Sequence, residues 1–374
     1  MNKIKLIDLT IDHKGHYGIG ASACEFQEGY PLYLRITDIE DNSYVSSLPT
    51  CINPIDYPDY NKYFLKNNDI VFARTGNSTG RNYFYDGKYK NVVYAGFLIK
   101  FSLNPLLVVP QYVSYYCQTK KYKDTIEGLS NGSTRKNLNA NQFGELEIPM
   151  CSKAHQQHIV NTIGSIDELL ENLYEINNKV NALIYKICKK ISYDKKESII
   201  KNYVIEENQR QGDNDYTLLS VVSSGGVIEQ DAFFVKDTSS KDRKKYKIVY
   251  PMHFAFNPAR ANIGSIGMWN SKQIGCISPI YSVFKVKEGF EIFFNYYLKM
   301  PSVREEIIKR SSGSVRQNLS FDEFTSIKIP ELSIDDINEF NGRILPLWNI
   351  LEENRTIINH LNSLKNELLT KFFK

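Results

Sequence analysis

The sequence lacks long hydrophobic runs. No apolar stretch approaches the roughly 18 residues that a membrane-spanning helix requires, and the opening MNKIKLIDLT has neither the apolar core nor the cleavage-like site of a signal peptide. The six cysteines form no CxxC pair, and none lies beside a histidine at metal-ligand spacing. These absences predict a cytoplasmic protein whose reduced thiols mostly serve packing.

Catalytic motifs are also absent. The chain contains no GxxxxGK[ST] loop, no HExxH, no GxSxG and no Asn-Pro-Pro-aromatic motif of adenine methyltransferases. His155 and His158 have a spacing that can hold a metal, but no third ligand is evident, so we interpret them as solvated polar residues. We predict that the chain binds rather than catalyses, with no catalytic residue, metal or cofactor of its own.

The composition is that of a globular protein. The 374 residues suffice for two domains, and 42% are apolar. A net charge of +4 is compatible with a nucleic-acid partner without requiring one, since a local basic patch would matter more. The 25 tyrosines and 20 phenylalanines indicate either an aromatic binding surface or simply the composition of an Ile/Asn/Lys-rich proteome.

An internal duplication dominates the sequence. The phrase GSTRKNLNANQFGELEIP (132–149) returns as GSVRQNLSFDEFTSIKIP (313–330), and an offset of 181 matches 21 of the 80 residues from Tyr112 to Ile191 without a gap. Upstream, NDIVFARTGNSTG (68–80) faces FAFNPARANIGSIG (254–267), each with an Ala-Arg pair followed by a glycine. Residues 1–60 and 200–245 barely resemble each other.

Each repeat begins with a mixed region. In the first, PLYLRITDI (31–39), DIVFAR (69–74) and VVYAGFLIKF (92–101) read as strands, a helix is predicted over 110–128, and ELEIP as a short strand. Such content predicts a compact α+β domain of about 150 residues. We call residues 1–153 the first head and 194–333 the second head.

Two long helices follow the heads, over 154–193 and 334–374. Apolar residues recur at alternating steps of three and four, which is a coiled-coil seam with Asn177, Asn354 and Lys365 at polar positions. Pro346 is predicted to lie near the start of the second helix. The seam residues are Ile159, Ile163, Ile166, Leu170, Leu173, Val180, Ile184 and Ile187 in the first helix, and Ile344, Leu347, Leu351, Ile358, Leu361 and Leu368 in the second.

The two helices are predicted to pair with each other. At about 1.5 Å per residue each exceeds the diameter of a 150-residue domain, and chain order favours an antiparallel coiled coil with a pseudo-two-fold axis relating two similar heads. The alternative is that each helix packs only on its own head. Two similar heads on a spacer suit a linear polymer, and heads about 40–50 Å apart would reach DNA sites roughly 12–15 base pairs apart.

Binding residues are predicted in several polar segments, although each can also be an ordinary solvated loop. ARTGNSTGR (73–81) combines cations, amides and glycines after a strand, and Arg and Asn can make bidentate contacts to guanine and adenine. The repeated loops and the basic run 237–247 add further cations. The candidates are Arg74, Thr75, Asn77, Ser78, Arg81, Arg135, Lys136, Arg243, Lys244, Lys245, Arg260, Asn262, Arg316 and Gln317.

The doubled order of head and long helix, with DIVFARTG, FAFNPARANIGSIG, CISPIYSVF and the loops ending in Ile-Pro, resembles the DNA-specificity (S) subunit of type I restriction-modification enzymes over the full length. The resemblance implies that each head is a target-recognition domain reading one half of a bipartite, asymmetric double-stranded DNA target. It also implies that the helices set the spacer and dock two modification (methyltransferase) subunits, which bind S-adenosylmethionine and methylate adenine. Restriction subunits that use ATP and Mg²⁺ would join them.

The duplication also sorts the candidates. Residues shared by both heads, such as Arg135 and Arg316, should contact phosphates or support the fold, whereas base readers should lie in divergent stretches such as Thr75 to Arg81. Two alternatives stay open: a non-enzymatic coiled-coil scaffold that binds proteins, and a DNA-recognition subunit of a different methylation or defence complex. Some relatives carry extra terminal residues, and the family implies termini that lie close together.

Overall fold

The chain forms two compact units. In the computed structural model, which describes residues 2–130, 137–223, 226–230, 243–311 and 318–374, one unit comprises Met1–Leu173 with Thr356–Lys374 and the other comprises Tyr174–Arg355. Each unit therefore contains one head and part of both long helices. Across the residues described, none of the helices is long and apolar enough to cross a membrane.

The helices are concentrated after the strands of each head. Those of the described residues are α1 (Pro110–Tyr116), α2 (Lys120–Ser130), α3 (Ala140–Gly144), α4 (Lys153–Ser192), α5 (Glu291–Tyr297), α6 (Pro301–Ser311), α7 (Phe321–Thr325) and α8 (Ile334–Phe372). Short 3-10 turns lie at Leu6–Leu9, Tyr60–Tyr63, Gly76–Ser78, Ile200–Asn202 and Pro258–Ile263.

The strands are short. Those of the first head are β1 (Asn2–Lys5), β2 (His16–Tyr17), β3 (Cys24–Glu25), β4 (Leu32–Leu34), β5 (Thr50–Cys51), β6 (Asp69–Ala73), β7 (Asn82–Phe84), β8 (Val92–Tyr94), β9 (Leu98–Ser102) and β10 (Glu147–Met150). Those of the second head are β11 (Glu197–Ile199), β12 (Val204–Glu206), β13 (Thr217–Val222), β14 (Gly226–Glu229), β15 (Lys247–Val249), β16 (Phe254–Phe256), β17 (Ile266–Met268), β18 (Gly275–Ile277), β19 (Ser282–Val286) and β20 (Lys328–Pro330).

One sheet is the same in both heads. The first head has an antiparallel sheet in the order β2-β9-β6-β7, and the second has β12-β19-β16-β17, which matches it strand for strand. In each head, the first strand also pairs with the strand that ends the repeated phrase, β1 with β10 and β11 with β20. The duplication therefore extends to β1, β2, β11 and β12, where the sequence resemblance is weak.

The other sheet differs between the heads. Both contain a parallel pair, β4 with β8 and β13 with β18. In the first head β5 and β3 extend the sheet beyond β4, whereas in the second β14 and β15 flank the pair on either side. The structural divergence thus falls in the half of each head whose sequence has diverged.

Two predicted elements of the first head are each divided. The helix predicted over 110–128 breaks between α1 and α2, because the Thr119 hydroxyl donates to Tyr116 O at 2.7 Å and accepts from Tyr122 N at 3.2 Å, which starts a new helix. The strand predicted over 92–101 is β8 and β9 in different sheets, since a turn separates them at 95–98. Apolar content alone did not locate these breaks.

The long helices run antiparallel in the first unit. The rings of His155 and Phe372 lie 6.5 Å apart, and Lys365 Nζ lies 2.6 Å from Asp167 Oδ1. The residue number on α8 falls as that on α4 rises, which defines an antiparallel pair.

The second unit gives the same direction. Asn354 Nδ2 donates to Asn177 Oδ1 at 2.7 Å, so two of the predicted polar seam positions meet each other. Further along, Lys195 after the end of α4 donates to Asp336 in the first turn of α8 at 2.7 Å. Asn354 is only 8% exposed, so this amide pair satisfies groups that would otherwise be buried without a partner.

The seam residues are buried or half-buried. The cores also show that the helices pack both on each other and on the heads: Ile163 of α4 and Leu369 of α8 share a cluster with Tyr112 of the first head. The buried members are Ile159, Ile163, Ile166, Leu170, Ile184, Ile344 and Ile358, and the half-buried members are Leu173, Val180, Ile187, Leu347, Leu351, Leu361 and Leu368.

Pro346 lies inside α8 rather than near its start. The helix begins at Ile334, so Pro346 falls in its fourth turn. Proline removes one helical hydrogen bond and crowds the preceding turn. The apolar side chains around it compensate, since Ile344 is fully buried and the ring of Trp348 packs edge-on against Tyr296 at 6.3 Å.

A charged cluster occupies the helix interface of the first unit. Tyr115 of α1 donates to Asp167 Oδ2 at 2.9 Å, while the Lys365 ammonium pairs with the same carboxylate and lies 5.7 Å from the Tyr115 ring. Burial, together with the neighbouring carboxylate of Asp167, raises the pKa of the Tyr115 hydroxyl. At the offset of 181 the equivalents of Asp167 and Lys365 are Trp348 and Ile184, so the second unit uses apolar groups there.

We expect Asp167→Ala to lower the free energy of unfolding by about 2 kcal/mol, because Lys365, whose side chain is 12% exposed, loses its counter-charge. The double variant Asp167→Leu with Lys365→Met, which copies the apolar pattern of the second unit, should recover most of that loss. Urea denaturation followed by circular dichroism measures both.

Lys179→Ala is the matched control on the same helix. Its ion pair with Glu175 is exposed, with side-chain exposures of 79% and 59%, and its removal should change stability by less than about 0.5 kcal/mol. If Asp167→Ala behaved like this control, the charged cluster would contribute nothing to the pairing.

Candidate nucleic-acid interface

Each head carries a nine-residue loop between an inner strand of its shared sheet and the neighbouring edge strand. The first loop (73–81) joins β6 to β7, and the second loop (257–265) joins β16 to β17. Ala73 N donates to Arg81 O at 2.8 Å and Asn257 N to Ser265 O at 2.9 Å, so the same backbone contact closes both loops. Each loop contains a 3-10 turn.

A glycine in the left-handed conformation is the next-to-last residue of each loop. Gly80 has φ +89° and Gly264 has φ +93°. A Cβ at Gly80 would lie 2.6 Å from Ile126 Cγ2, and one at Gly264 would lie 2.6 Å from Ser223 O, so both loops also approach their surroundings too closely for a side chain. Both positions therefore require glycine.

Pairs of buried phenylalanines anchor the loops. Phe72, directly before the first loop, stacks on Phe143 of α3 with ring centroids 5.0 Å apart, and Phe256 packs on Phe324 of α7 at 5.1 Å. All four rings are fully buried. Because Phe143 and Phe324 belong to the repeated phrase, that phrase fixes the root of each loop.

The Ala-Arg pairs of the two loops are not equivalent. Leu138 N donates to Arg74 O at 2.9 Å, and its counterpart Leu319 N donates to Pro258 O at 2.9 Å, so Arg74 corresponds to Pro258. Arg260 then occupies the position of Gly76, two residues further along. The Ala-Arg pairs that match in the sequence therefore lie two residues apart in the two loops.

The same contacts bring the repeated phrase to the divergent loop in each head. Asn137 forms a bridge with Thr75, next to the bond from Leu138 to Arg74. The predicted residues Arg135, Lys136, Arg316 and Gln317 lie outside the described residues. Leu138 and Leu319, which follow these residues in the chain, contact the nine-residue loop of their own head.

Arg74 presents a cation at this junction. Its guanidinium carbon lies 4.9 Å from the centroid of the Tyr17 ring, and its Nε is buried and has no hydrogen-bond partner among the residues described. Tyr17 is held in place because its hydroxyl accepts from Ala140 N at 3.1 Å. Among the residues that the structure describes, it is thus an aromatic face and not a counter-ion that orients Arg74.

Arg81, at the other end of the first loop, is already paired. Its Nε donates to Asp41 Oδ1 at 2.7 Å and its Nη1 to Ile39 O at 3.1 Å. Asp41 has a side-chain exposure of 82%. Between the two arginines, Asn77 is exposed, whereas Thr75 and Ser78 are half-buried. The Asn77 amide is accessible to a ligand directly. Arg81 can contact a ligand once its ion pair with Asp41 is broken.

The predicted residues of the second head belong to two different sheets. Arg260 is exposed and Asn262 half-buried in the second loop. Arg243, Lys244 and Lys245 precede β15 of the other sheet, and Lys244 Nζ lies 2.5 Å from Asp213 Oδ1. The main chain there is held by Arg210, which donates to Lys245 O at 2.9 Å.

Sequence reasoning missed Tyr17 and Asp41. Both are distant in sequence from the first loop, and no local motif marks them. The two histidines at the start of α4 contact Phe372, with ring centroids 6.5 Å from His155 and 6.0 Å from His158. Within the described ranges there is no group of three or more His, Cys, Asp or Glu side chains suited to a metal.

Comparisons with known proteins agree with this architecture. Residues 22–182 match the family model of the type I restriction modification DNA specificity domain. A type I specificity subunit of Mycoplasma genitalium is 23% identical over 285 residues, which cover 69% of this chain and 70% of that protein. The segment 22–182 is therefore similar to a type I DNA specificity domain.

Two further relatives extend the comparison. The specificity subunit of the type I restriction enzyme MjaIX of Methanocaldococcus jannaschii is 27% identical over 138 residues, which cover 34% of this chain and 31% of that protein. The crystal structure of the type I S subunit from M. genitalium aligns with a TM-score of 0.55 at 17% identity, covering 100% of this chain and 96% of that one. The latter likeness concerns the fold.

We expect Asp41→Asn to tighten duplex DNA binding by this chain about fivefold, equivalent to about 1 kcal/mol. The Asp41 carboxylate forms an ion pair with Arg81 and also repels DNA phosphates. The substitution removes both effects. Fluorescence anisotropy with a short duplex at low salt measures the change.

Asp59→Asn is the matched control, because it makes the same change in charge at another exposed ion pair of the first head, that of Asp59 with Lys62. Equal effects of the two variants would mean that net charge, rather than release of Arg81, determines the gain.

Proposed function

We propose that this chain is a type I DNA specificity subunit that reads a bipartite, asymmetric sequence of double-stranded DNA, one half with each head. Its long helices set the spacing of the two halves and dock two modification subunits. The chain contributes no catalytic group; methylation of adenine with S-adenosylmethionine is assigned to the modification subunits, and cleavage with ATP and Mg²⁺ to restriction subunits.

The observation that carries the proposal is that the nine-residue loops of both heads share the same backbone contacts but have different side chains. The closing hydrogen bond, the left-handed glycine, the phenylalanine anchor and the contact with the repeated phrase recur in both loops. The groups presented do not recur, since Arg74 is replaced by Pro258 and Gly76 by Arg260. Similar frames with different readers suit two half-sites of different sequence.

The charges at the loops support a nucleic acid over a protein ligand. Arg74, Arg81 and Arg260 lie on or next to the loops, together with the exposed amide of Asn77. Guanidinium groups form bidentate bonds with guanine and with phosphate, and amides with adenine.

The helices supply a spacer of defined length. At about 1.5 Å per residue, the 40 residues of α4 extend over roughly 60 Å. The polar pair of Asn177 with the buried Asn354 fixes the register of the helix pair, which a spacer of defined length requires.

Docking of two identical subunits is supported by a duplicated apolar stripe. Besides its buried seam, each long helix exposes three large apolar residues at intervals of seven, which lie on one helix face. They are 40–52% exposed, and the two sets correspond at the offset of 181. The stripe of α4 is Leu169, Ile176 and Leu183, and that of α8 is Ile350, Ile357 and Leu364.

The proposal is tested by co-expressing the chain with modification subunits in a host without adenine methylation and mapping the modified adenines. A single two-part motif with different halves and a fixed gap is expected. A complex that forms without DNA binding would support the protein scaffold, and a continuous, ungapped motif would support a different methylation complex.

We expect Arg81→Ala and Arg135→Ala to weaken DNA binding in different ways. Arg81 lies in the divergent loop, so its loss should relax the preference at one base pair. Arg135 is shared with Arg316, so its loss should weaken binding to all sequences alike and reduce the slope of affinity against salt by about one. Titration of the target and its single-base variants at several salt concentrations separates the two effects.

The same uniform loss in both variants would contradict the assignment of base reading to divergent residues and phosphate contact to shared ones. Lys120→Ala, at the start of α2 in the same head, controls for the loss of one exposed positive charge.

We expect Ile176→Glu with Leu183→Glu to remove one modification subunit, because charges replace two apolar contacts of the α4 stripe. Ile357→Glu with Leu364→Glu should have the same effect on the α8 stripe, and the fourfold variant should bind none. Native mass spectrometry of the co-purified complex counts the subunits.

Leu345→Glu provides the control, since Leu345 is 48% exposed on α8 but lies outside the stripe. Two modification subunits still bound to the fourfold variant would exclude the stripes as docking surfaces.

A further inference from the structure

Each head exposes one large apolar side chain at the tip of a tight turn. In the turn Ala95–Leu98, Leu98 N donates to Ala95 O at 2.8 Å and Phe97 is 60% exposed. In the turn Ser278–Tyr281, Tyr281 N donates to Ser278 O at 3.1 Å and Ile280 is 66% exposed.

The two side chains occupy equivalent positions. In the shared sheet Phe72 pairs with Ile99, and its counterpart Phe256 pairs with Ser282. Ile99 and Ser282 each lie two residues after the exposed side chain. Strand register therefore superposes Phe97 on Ile280, independently of any sequence similarity between the turns.

A single exposed apolar residue would need no explanation, but an exposed apolar residue at the same turn of both heads does. Isolated apolar side chains are common on protein surfaces. Turns, however, favour Gly, Pro, Asn, Asp and Ser, and the residues before these tips, Gly96 and Pro279, follow that rule. A large apolar residue at the same turn position of two diverged heads indicates a task common to both.

The position of the turns identifies the ligand. Arg74 N donates to Phe97 O at 3.0 Å, so the turn adjoins the first loop at the cation that lies over Tyr17. In the second head the pairing of β16 with β19 brings the corresponding turn to the start of the second loop, which exposes Arg260. An apolar group beside guanidinium groups matches DNA, whose bases are apolar on their faces and whose backbone is anionic.

We propose that Phe97 and Ile280 contact DNA bases directly, each as the apolar contact of its own head. The contact is either insertion at a base-pair step or packing against a thymine methyl group, and both use the apolar surface of bases. This inference rests on the proposed function, because it needs DNA at the loops.

The test uses the full chain in complex with its modification subunits and a duplex of the mapped target. 2-Aminopurine placed at successive positions reports unstacking as increased fluorescence, and uracil in place of thymine removes single methyl groups. Phe97→Ala should lower affinity about tenfold and abolish the fluorescence or methyl effect in one half-site only. Ile280→Ala should do the same in the other half-site.

Leu106→Ala is the control, since Leu106 is an 81% exposed apolar residue of the first head away from the loop. Phe97→Trp and Ile280→Phe, which keep a large apolar group, should retain binding. Alanine variants that bind every duplex like the wild type would overturn the inference, as would loss of a modification subunit with DNA binding intact. Absence of duplex binding by the wild type would instead remove the proposed function, and the inference with it.

Discussion

The antiparallel pairing of α4 with α8 is the contact on which both units depend. Both units close their cores with segments of the two long helices, and in the first unit one of these segments, at the end of the chain, is remote in sequence from the head. In the first unit, Phe373, directly after α8, packs its ring 5.0 Å from Tyr112 and 5.8 Å from Tyr116. The first head therefore completes its core only when the last residues of the chain are in place, which makes the helix pair part of the folding unit rather than an appendage.

Polar groups inside the helix interface give the pairing its register. A seam made only of Leu and Ile would tolerate a shift by one heptad, because every position would present similar shape. Asn177 with Asn354, and Asp167 with Lys365, satisfy each other only in one register. The charged cluster is present in the first unit, and Trp348 and Ile184 replace it in the second. The contact between the two long helices is therefore chemically different in the two units.

The heads combine a shared frame with separate surfaces. The sheet that holds the nine-residue loops, the phenylalanine anchors and the left-handed glycines of the loops is common to both. The second sheet and the loop side chains differ. This division follows from physics, since buried rings and close backbone approaches tolerate few residues, whereas exposed loop positions tolerate many. A duplicated protein can therefore alter what each head binds without altering how it folds.

The sequence alone determined the duplication, the two long helices and their seam, because heptad periodicity and a gap-free repeat are local signals that survive without coordinates. It also located the loops that follow a buried strand. It did not determine which loop residues are equivalent: the Ala-Arg pairs of both loops attracted attention, yet strand pairing showed Arg74 opposite Pro258. Nor did it reveal that Asp41 forms an ion pair with Arg81 or that Tyr17 orients Arg74. The equivalent positions of Phe97 and Ile280 were also not evident from the sequence. Those relations join residues distant along the chain, and only tertiary structure brings them together.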